Sequence, residues 1–262
     1  MLSSPLVRRG THQRHLDANG GCADLLRAHQ IKVHFGGVKA LDGVDLAVRA
    51  GELVGLIGPN GAGKTTLVNV LSGFQRPTAG EVHLNGDAMS GREPQAFVTK
   101  GVARTFQSVR IFRDLSVAEN VALGALGIGM KADNAVSFAR ELLDLIGLST
   151  KERQTGGSLA HGDARRVGIA RALATRPKFL LLDEPAAGLD DDESAELVTH
   201  MRLIRDRFGC AVLIIEHDMS VIMGVSERIQ VLDFGRGIAE GAPEEIRNDP
   251  RVLAAYLGTD GG

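Results

Sequence analysis

Three short stretches of this 262-residue chain carry residue types and spacings that could do chemistry on a phosphate. Gly58-Pro59-Asn60-Gly61-Ala62-Gly63-Lys64-Thr65 fits G-x-x-x-x-G-K-[ST] and is followed by Thr66. Glycines there let successive backbone N–H groups turn inward around a polyphosphate. Lys64 can reach the β- and γ-phosphates, and Thr65 can hold Mg2+. The stretch is therefore expected to bind a nucleoside triphosphate with magnesium. Asp183-Glu184 closes the apolar run Phe179-Leu180-Leu181-Leu182. In a phosphate-loop enzyme Asp183 would join the magnesium shell, and Glu184 would orient or deprotonate a water for in-line attack. Alone, that pair would read as two solvated acids at a strand end; the loop upstream reverses the reading. Glu216-His217-Asp218 ends a further apolar run, Ala211 to Ile215, and could be an exposed strand end; its place beyond the Asp183 strand favours a γ-phosphate role for His217 and leaves Glu216 and Asp218 as structural residues.

These groups need a frame that brings strand ends together. Leu53-Val54-Gly55-Leu56-Ile57 precedes the loop as a buried strand, and Leu67, Val68 and Leu71 follow it at helical spacing. Between the Asp183 and His217 runs, Leu197, Val198, Met201, Ile204 and Phe208 trace a helix face. Uninterrupted apolar runs alternating with helices indicate a parallel sheet covered on both sides, with polar residues at the carboxyl ends facing a crevice. Ile229, Val231 and Leu232 mark a last strand, and Pro243-Glu244-Glu245 opens a terminal helix.

Other segments have a different period. Ile31, Val33 and Phe35, then Val44, Leu46 and Val48, alternate with polar residues around a Gly36-Gly37 turn, as half-exposed antiparallel strands do. Phe35 fits either a core position or a place under an adenine ring. Glu81 to Leu84 with Asn85-Gly86 continues this β-rich edge. From Val102 to Gly157 the pattern is helical: Leu115, Val117, Val121 and Leu123 lead to a break at Gly124, Gly127 and Gly129, and Val136, Ala139, Leu142, Leu143 and Ile146 share a second face. The fold expected is α/β: a P-loop ATPase core with a mainly parallel sheet, an antiparallel β subdomain, and an inserted α-helical subdomain at about residues 108–165.

A net charge of −2 offers no basic excess for a nucleic-acid partner. No apolar run approaches the roughly 18 to 20 residues of a bilayer-spanning helix, so a membrane role would act through a partner. Cys22 and Cys210 match no metal or redox spacing and suit a reducing cytoplasm. Residues 1–27 carry Arg8, Arg9 and Arg14 without the apolar core of a secretory signal, and read as a disordered tail ahead of a domain at 28–262.

Together the motifs resemble the ATP-binding cassette (ABC) ATPases over roughly residues 28 to 258. Phe35 matches that family's adenine-stacking aromatic. Ala103-Arg104-Thr105-Phe106-Gln107 matches the segment that ends in its glutamine-loop residue, a metal-sensing group, and His217 matches its switch histidine. Ser158-Leu159-Ala160-His161-Gly162-Asp163 stands at the signature, commonly Leu-Ser-Gly-Gly-Gln, and Ala186-Ala187-Gly188-Leu189-Asp190 at the D-loop. The resemblance implies head-to-tail pairing with a second ABC ATPase subunit, identical or paralogous. Leu159, Gly162 and Asp190 of one subunit would then wall the other's nucleotide. The N–H groups of the helix opened by Gly162 can meet a γ-phosphate. Two departures stand out: Ala160 lacks the signature hydroxyl, and Asp163 places a negative charge at the helix start, good for the dipole and bad for a neighbouring phosphate.

Within the family, Val109 to Arg113, Asp183 to Gly188, Ile215 to Met219 and the ending Asp249 to Gly258 resemble the ATPase subunits of branched-chain amino-acid importers. That resemblance implies ATP and Mg2+ as cofactors, integral permease subunits and an external solute-binding protein as partners, and a peripheral place on the cytoplasmic face of the inner membrane. Importers of urea or amides and non-transport ABC ATPases are the alternatives; a GTPase is disfavoured by the lack of Asn-Lys-x-Asp. Asp233-Phe234-Gly235 spells a kinase magnesium motif, but without a His-Arg-Asp loop it reads as a turn.

Overall fold

The structure is a computed structural model that describes residues 24–107 and 110–257. It opens with β1 (Leu25–Phe35) and β2 (Val38–Arg49), then β3 (Leu53–Ile57), the phosphate-loop stretch and α1 (Lys64–Leu71). β4 (Ala79–Leu84), β5 (Asp87–Ala88), α2 (Pro94–Thr99) and β6 (Val102–Arg104) follow, then α3 (Val117–Gly127), α4 (Ala132–Leu145) and α5 (His161–Leu173). The chain returns through β7 (Phe179–Asp183), α6 (Asp191–Phe208), β8 (Ala211–Ile215), α7 (Met219–Val225), β9 (Arg228–Asp233) and β10 (Arg236–Gly241) to α8 (Pro243–Arg247) and α9 (Pro250–Leu257).

The central sheet has the order β10-β9-β3-β8-β7-β6; β9, β3, β8, β7 and β6 are parallel and β10 pairs antiparallel with β9. Its strands read as continuous apolar runs because both faces are covered. Leu53 and Ile57, Leu180 and Leu182, and Val212 and Ile214 enter one core with the helices α3 to α7. Their alternates Val54 and Leu56, Phe179 and Leu181, and Leu213 and Ile215 enter a second core shared with α1 and the antiparallel sheet β2-β1-β4-β5. Each such fully buried aliphatic side chain contributes about 1.5–3 kcal/mol against exposure, so the period-2 split fixes both layers.

Helix ends follow local chemistry. Ser116 and Glu119 form a capping box at the start of α3. Asp190 and Glu193 do the same for α6, which carries acids in its first turn, Arg205 and Arg207 in its last, and Gly209 in the left-handed region at its end.

Three expectations need correction. The first strand begins at Leu25, inside the stretch 1–27 read as tail, because Leu26 and Ala28 are buried and pair with both β2 and β4. The rest of that tail, residues 1–23, lies outside the described residues, as do 258–262. Gly124 does not break a helix. It sits inside α3, where a Cβ would overlap the carbonyl oxygen of Arg171, so the glycine lets α3 approach the α5 backbone. Finally, the helical pattern read from Val102 starts later, because Val102–Arg104 is strand β6, which extends the central sheet beside β7; β10, an edge strand with only Ala239 buried, was not anticipated. Helices α3 and α4 lie within the expected 108–165 interval, of which Ser108 and Val109 are outside the described residues.

Candidate active site

The carboxyl ends of β3, β7 and β8 lie side by side in the parallel sheet, and each delivers one group of interest. From β3 the chain enters the glycine loop. Gly58 has φ 149° and a Cβ there would overlap the Leu232 carbonyl oxygen; Gly63, the N-cap of α1 at φ 102°, would bring a Cβ to 2.6 Å from the Ala40 carbonyl oxygen. Neither position admits another residue type without moving backbone. Lys64 is buried, and its Nζ donates to the carbonyl oxygens of Gly58 at 2.6 Å and Pro59 at 2.9 Å, curling over the loop. Burial pushes its ammonium pKa down, while Glu184 and Asp183 pull it up. Asn60, Gly61 and Thr65 are exposed, and Thr66 is half-buried at the start of α1.

From β7 come Asp183 and Glu184. Asp183 is buried, and its Oδ2 accepts from Arg104 Nη2 at 3.0 Å. Burial raises its carboxyl pKa and Arg104 opposes that rise. Arg104 is held by Asn69 Oδ1 at 2.5 Å and by the Phe74 and Phe106 rings, 5.7 and 4.9 Å from its guanidinium carbon. Glu184 sits in the left-handed region at φ 48°, with its N–H on the Ile215 carbonyl at 2.9 Å. Its Oε2 accepts from Gln107 Nε2 at 2.6 Å.

From β8 come Glu216 and His217. The His217 side chain is 62% exposed, whereas that of Glu216 is 1% exposed. Glu216 accepts the backbone N–H groups of Ala186 and His217.

The remaining sequence-predicted residues divide into two groups. Phe35 is 52% exposed and pairs with Val38 at the end of the β1–β2 hairpin, two residues before Ala40, which abuts Gly63. Asp233-Phe234-Gly235 is the β9–β10 turn, with positive φ at Phe234 and Gly235, and Gly235 donates to the Ala62 carbonyl at 3.0 Å, bracing the loop from behind.

Leu159, Gly162 and Asp190 are not brought to the loop: among the described residues no hydrogen bond or ion pair joins 158–163 or Asp190 to 58–66. The start of α5 has no side-chain cap, so its first N–H groups are left for another acceptor. Asp163 does not confront them with a loose charge. Its carboxylate is buried against Lys151 and against Arg166 at 2.6 Å. Burial acts to raise its pKa, but the bonds from Lys151 and Arg166 prevail and hold it below the usual range. At Asp190 the structure shows a helix cap, with Oδ1 accepting from Glu193 N at 2.9 Å.

Sequence reasoning singled out neither Arg104 nor Glu216 as a site residue. The signal for Arg104 was a cation at the end of a strand whose register puts Arg104 opposite Leu181, two residues before Asp183. A polyphosphate with Mg2+ fits what is present: a glycine cradle, a lysine, an exposed threonine hydroxyl and one buried carboxylate. Among the described residues no three His, Cys, Asp or Glu side chains form a metal site of their own.

A family model described as ABC transporter matches residues 41–187, and one described as branched-chain amino acid ATP-binding cassette transporter matches 238–262. The chain is 42% identical over 249 residues to the high-affinity branched-chain amino acid transport ATP-binding protein LivG of Salmonella typhimurium, covering 89% of this chain and 98% of the relative. It is 39% identical over 249 residues to BraF of Pseudomonas aeruginosa, with the same coverage. Among solved structures, the ADP conformation of MJ1267, an ATP-binding cassette of an ABC transporter, superposes with a TM-score of 0.81 at 32% identity, covering 90% of this chain and 99% of that one. The dimeric post-hydrolysis state of the cassette MJ0796 bound to ADP and Pi gives 0.75 at 26% identity, covering 83% and 98%.

Proposed function

This chain belongs to the ABC transporter ATP-binding cassette family, and we propose that it is the ATP-hydrolysing subunit of an importer for branched-chain or related amino acids. The observation that carries the catalytic reading is the convergence of Lys64, Asp183 and Glu184 on one crevice, with Lys64 feeling the charge of both acids. The glycine loop with Asn60, Gly61 and Gly63 cradles the phosphates, Lys64 holds the β/γ end, and Phe35 stacks on the adenine. Mg2+, held by Thr65 and Asp183 with Gln107 sensing it, would neutralise charge developing on the transferred phosphoryl group. Glu184 orients the attacking water or takes its proton, and His217 contacts the γ-phosphate.

The site of one subunit is half of a complete one. Leu159, the uncapped start of α5 with Gly162 in its first turn, and the D-loop around Asp190 are the wall that a second ABC subunit receives. The cysteine-poor chain acts at the cytoplasmic face of the inner membrane, bound to permease subunits that an external binding protein loads. Among the described residues no helix is long and apolar enough to cross a membrane itself. A cavity of about 270 Å3 between the sheet and the helical region, lined by Arg104, Arg110, Arg165, Arg171, Phe106 and Leu123, is where a permease loop docks. ATP contacts that exist only in the closed pair shift the equilibrium and move the permease.

The test is reconstitution of the chain with its co-purifying membrane subunits in proteoliposomes, with loaded binding protein. ATP turnover is expected to rise with leucine, isoleucine or valine. A rise with urea or amides instead selects that alternative substrate, and preference for GTP over ATP in competition overturns the reading.

A further inference from the structure

Glu216 is the most deeply buried acid among the described residues, at 1% exposure, and its carboxylate is spent on two backbone donors. Oε1 accepts Ala186 N–H at 2.5 Å and Oε2 accepts His217 N–H at 3.2 Å. The donors belong to the two segments that carry Glu184 and His217. Glu184 has φ 48°, a left-handed backbone that costs a non-glycine residue about 1–3 kcal/mol and persists only where its surroundings over-determine it. Three contacts do so here. Glu184 N–H is bound by the Ile215 carbonyl at 2.9 Å, Ala186 N–H by Glu216, and the Ala187 carbonyl by Arg165 of α5. Arg165 also supplies the cation that faces Glu216 and Glu184.

We propose that Glu216 is a positioning residue: by binding the Ala186 N–H it holds Glu184 in the left-handed turn that presents its carboxylate to the attacking water, and it ties that turn to the His217 loop. The role rests on the ATPase reading above. It requires an oxygen acceptor at the reach of a glutamate side chain. Without one, a buried N–H is orphaned and the strained turn relaxes.

The experiment compares Glu216→Ala, Glu216→Asp and Glu216→Gln for kcat, KM for ATP, and hydrogen exchange at the Ala186 amide. Glu216→Ala is expected to lower kcat by about 30-fold or more, to leave KM within about twofold, and to expose the Ala186 amide to exchange. Glu216→Asp keeps the charge but is one methylene short, and is expected to fall nearly as far. Glu216→Gln keeps only one acceptor oxygen: with that oxygen on the Ala186 N–H its NH2 group faces the His217 N–H, so turnover is expected to fall less far than in Glu216→Asp, with the Ala186 amide protected. The proposal is overturned if folded Glu216→Ala turns over within about twofold of wild type, or if Glu216→Asp exposes the Ala186 amide to exchange without loss of turnover. The last comparison decides even if the alanine variant does not fold. Glu184→Gln measured alongside reports on the ATPase reading alone: normal turnover there removes the premise. Its loss beside an unaffected Glu216→Ala overturns only the role of Glu216.

Discussion

Arg104 and Asp183 form a buried ion pair, Nη2 to Oδ2 at 3.0 Å, with side chains 6% and 3% exposed. In this structure the guanidinium holds that carboxylate; under the function proposed above it would also serve a magnesium ion with nucleotide bound. Arg104 opposes the rise that burial imposes on the carboxyl pKa and aims the acid, while Phe74, Phe106 and Asn69 keep Arg104 in place.

Removing the arginine leaves that acid uncompensated. Arg104→Ala is expected to cost about 3–5 kcal/mol of stability, measurable in urea. The sign with pH follows from the shift. The Asp183 carboxyl is already raised by burial, and loss of Arg104 raises it further. The deficit is then greatest above the raised pKa, where the bare carboxylate is charged, and shrinks as pH falls through it. A deficit independent of pH would contradict this account of the pair.

Gly124→Ala tests the close approach of α3 to α5. Helix propensity favours alanine by about 1 kcal/mol, but the new methyl would overlap the Arg171 carbonyl oxygen, and overpacking of this kind costs about 1–3 kcal/mol. A net fall in Tm is expected by calorimetry; a rise would mean the two helices part without penalty.

Asp163 is expected to matter for stability through its ion pairs rather than as an exposed charge. Its pKa is lowered, so its stabilisation is present above the ordinary carboxylate range and is lost as pH falls through the depressed value. The Tm gap between wild type and Asp163→Asn is expected to be constant from about pH 6 to 8 and to close on acidification. A gap that widens in acid would contradict the pairing with Lys151 and Arg166.

What the sequence could reveal depended on the range of the physics involved. The phosphate loop is local: glycine backbone freedom, a lysine and a helix start within eight residues, and the structure shows the same constraints at Gly58 and Gly63. The parallel sheet was legible from Leu180, Val212 and their neighbours, because burial on both faces leaves uninterrupted apolar runs. Arg104 and Glu216 were not legible, since their partners lie 79 and 30 residues away and are chosen by strand register and chain path. Gly124 misled for a related reason. A glycine in a helix reads as a breaker until the neighbouring helix that needs the space is known.

The most direct test of the catalytic reading is ATP turnover by Glu184→Gln. Removing the carboxylate while keeping the side chain's shape and its place beside Gln107 is expected to lower steady-state turnover by about 100-fold or more, within the range of a positioned general base. ATP binding is expected to survive, and size-exclusion chromatography with Mg-ATP is expected to show an accumulated dimer. Normal turnover by the variant, with no ATP-dependent dimer, would contradict the account.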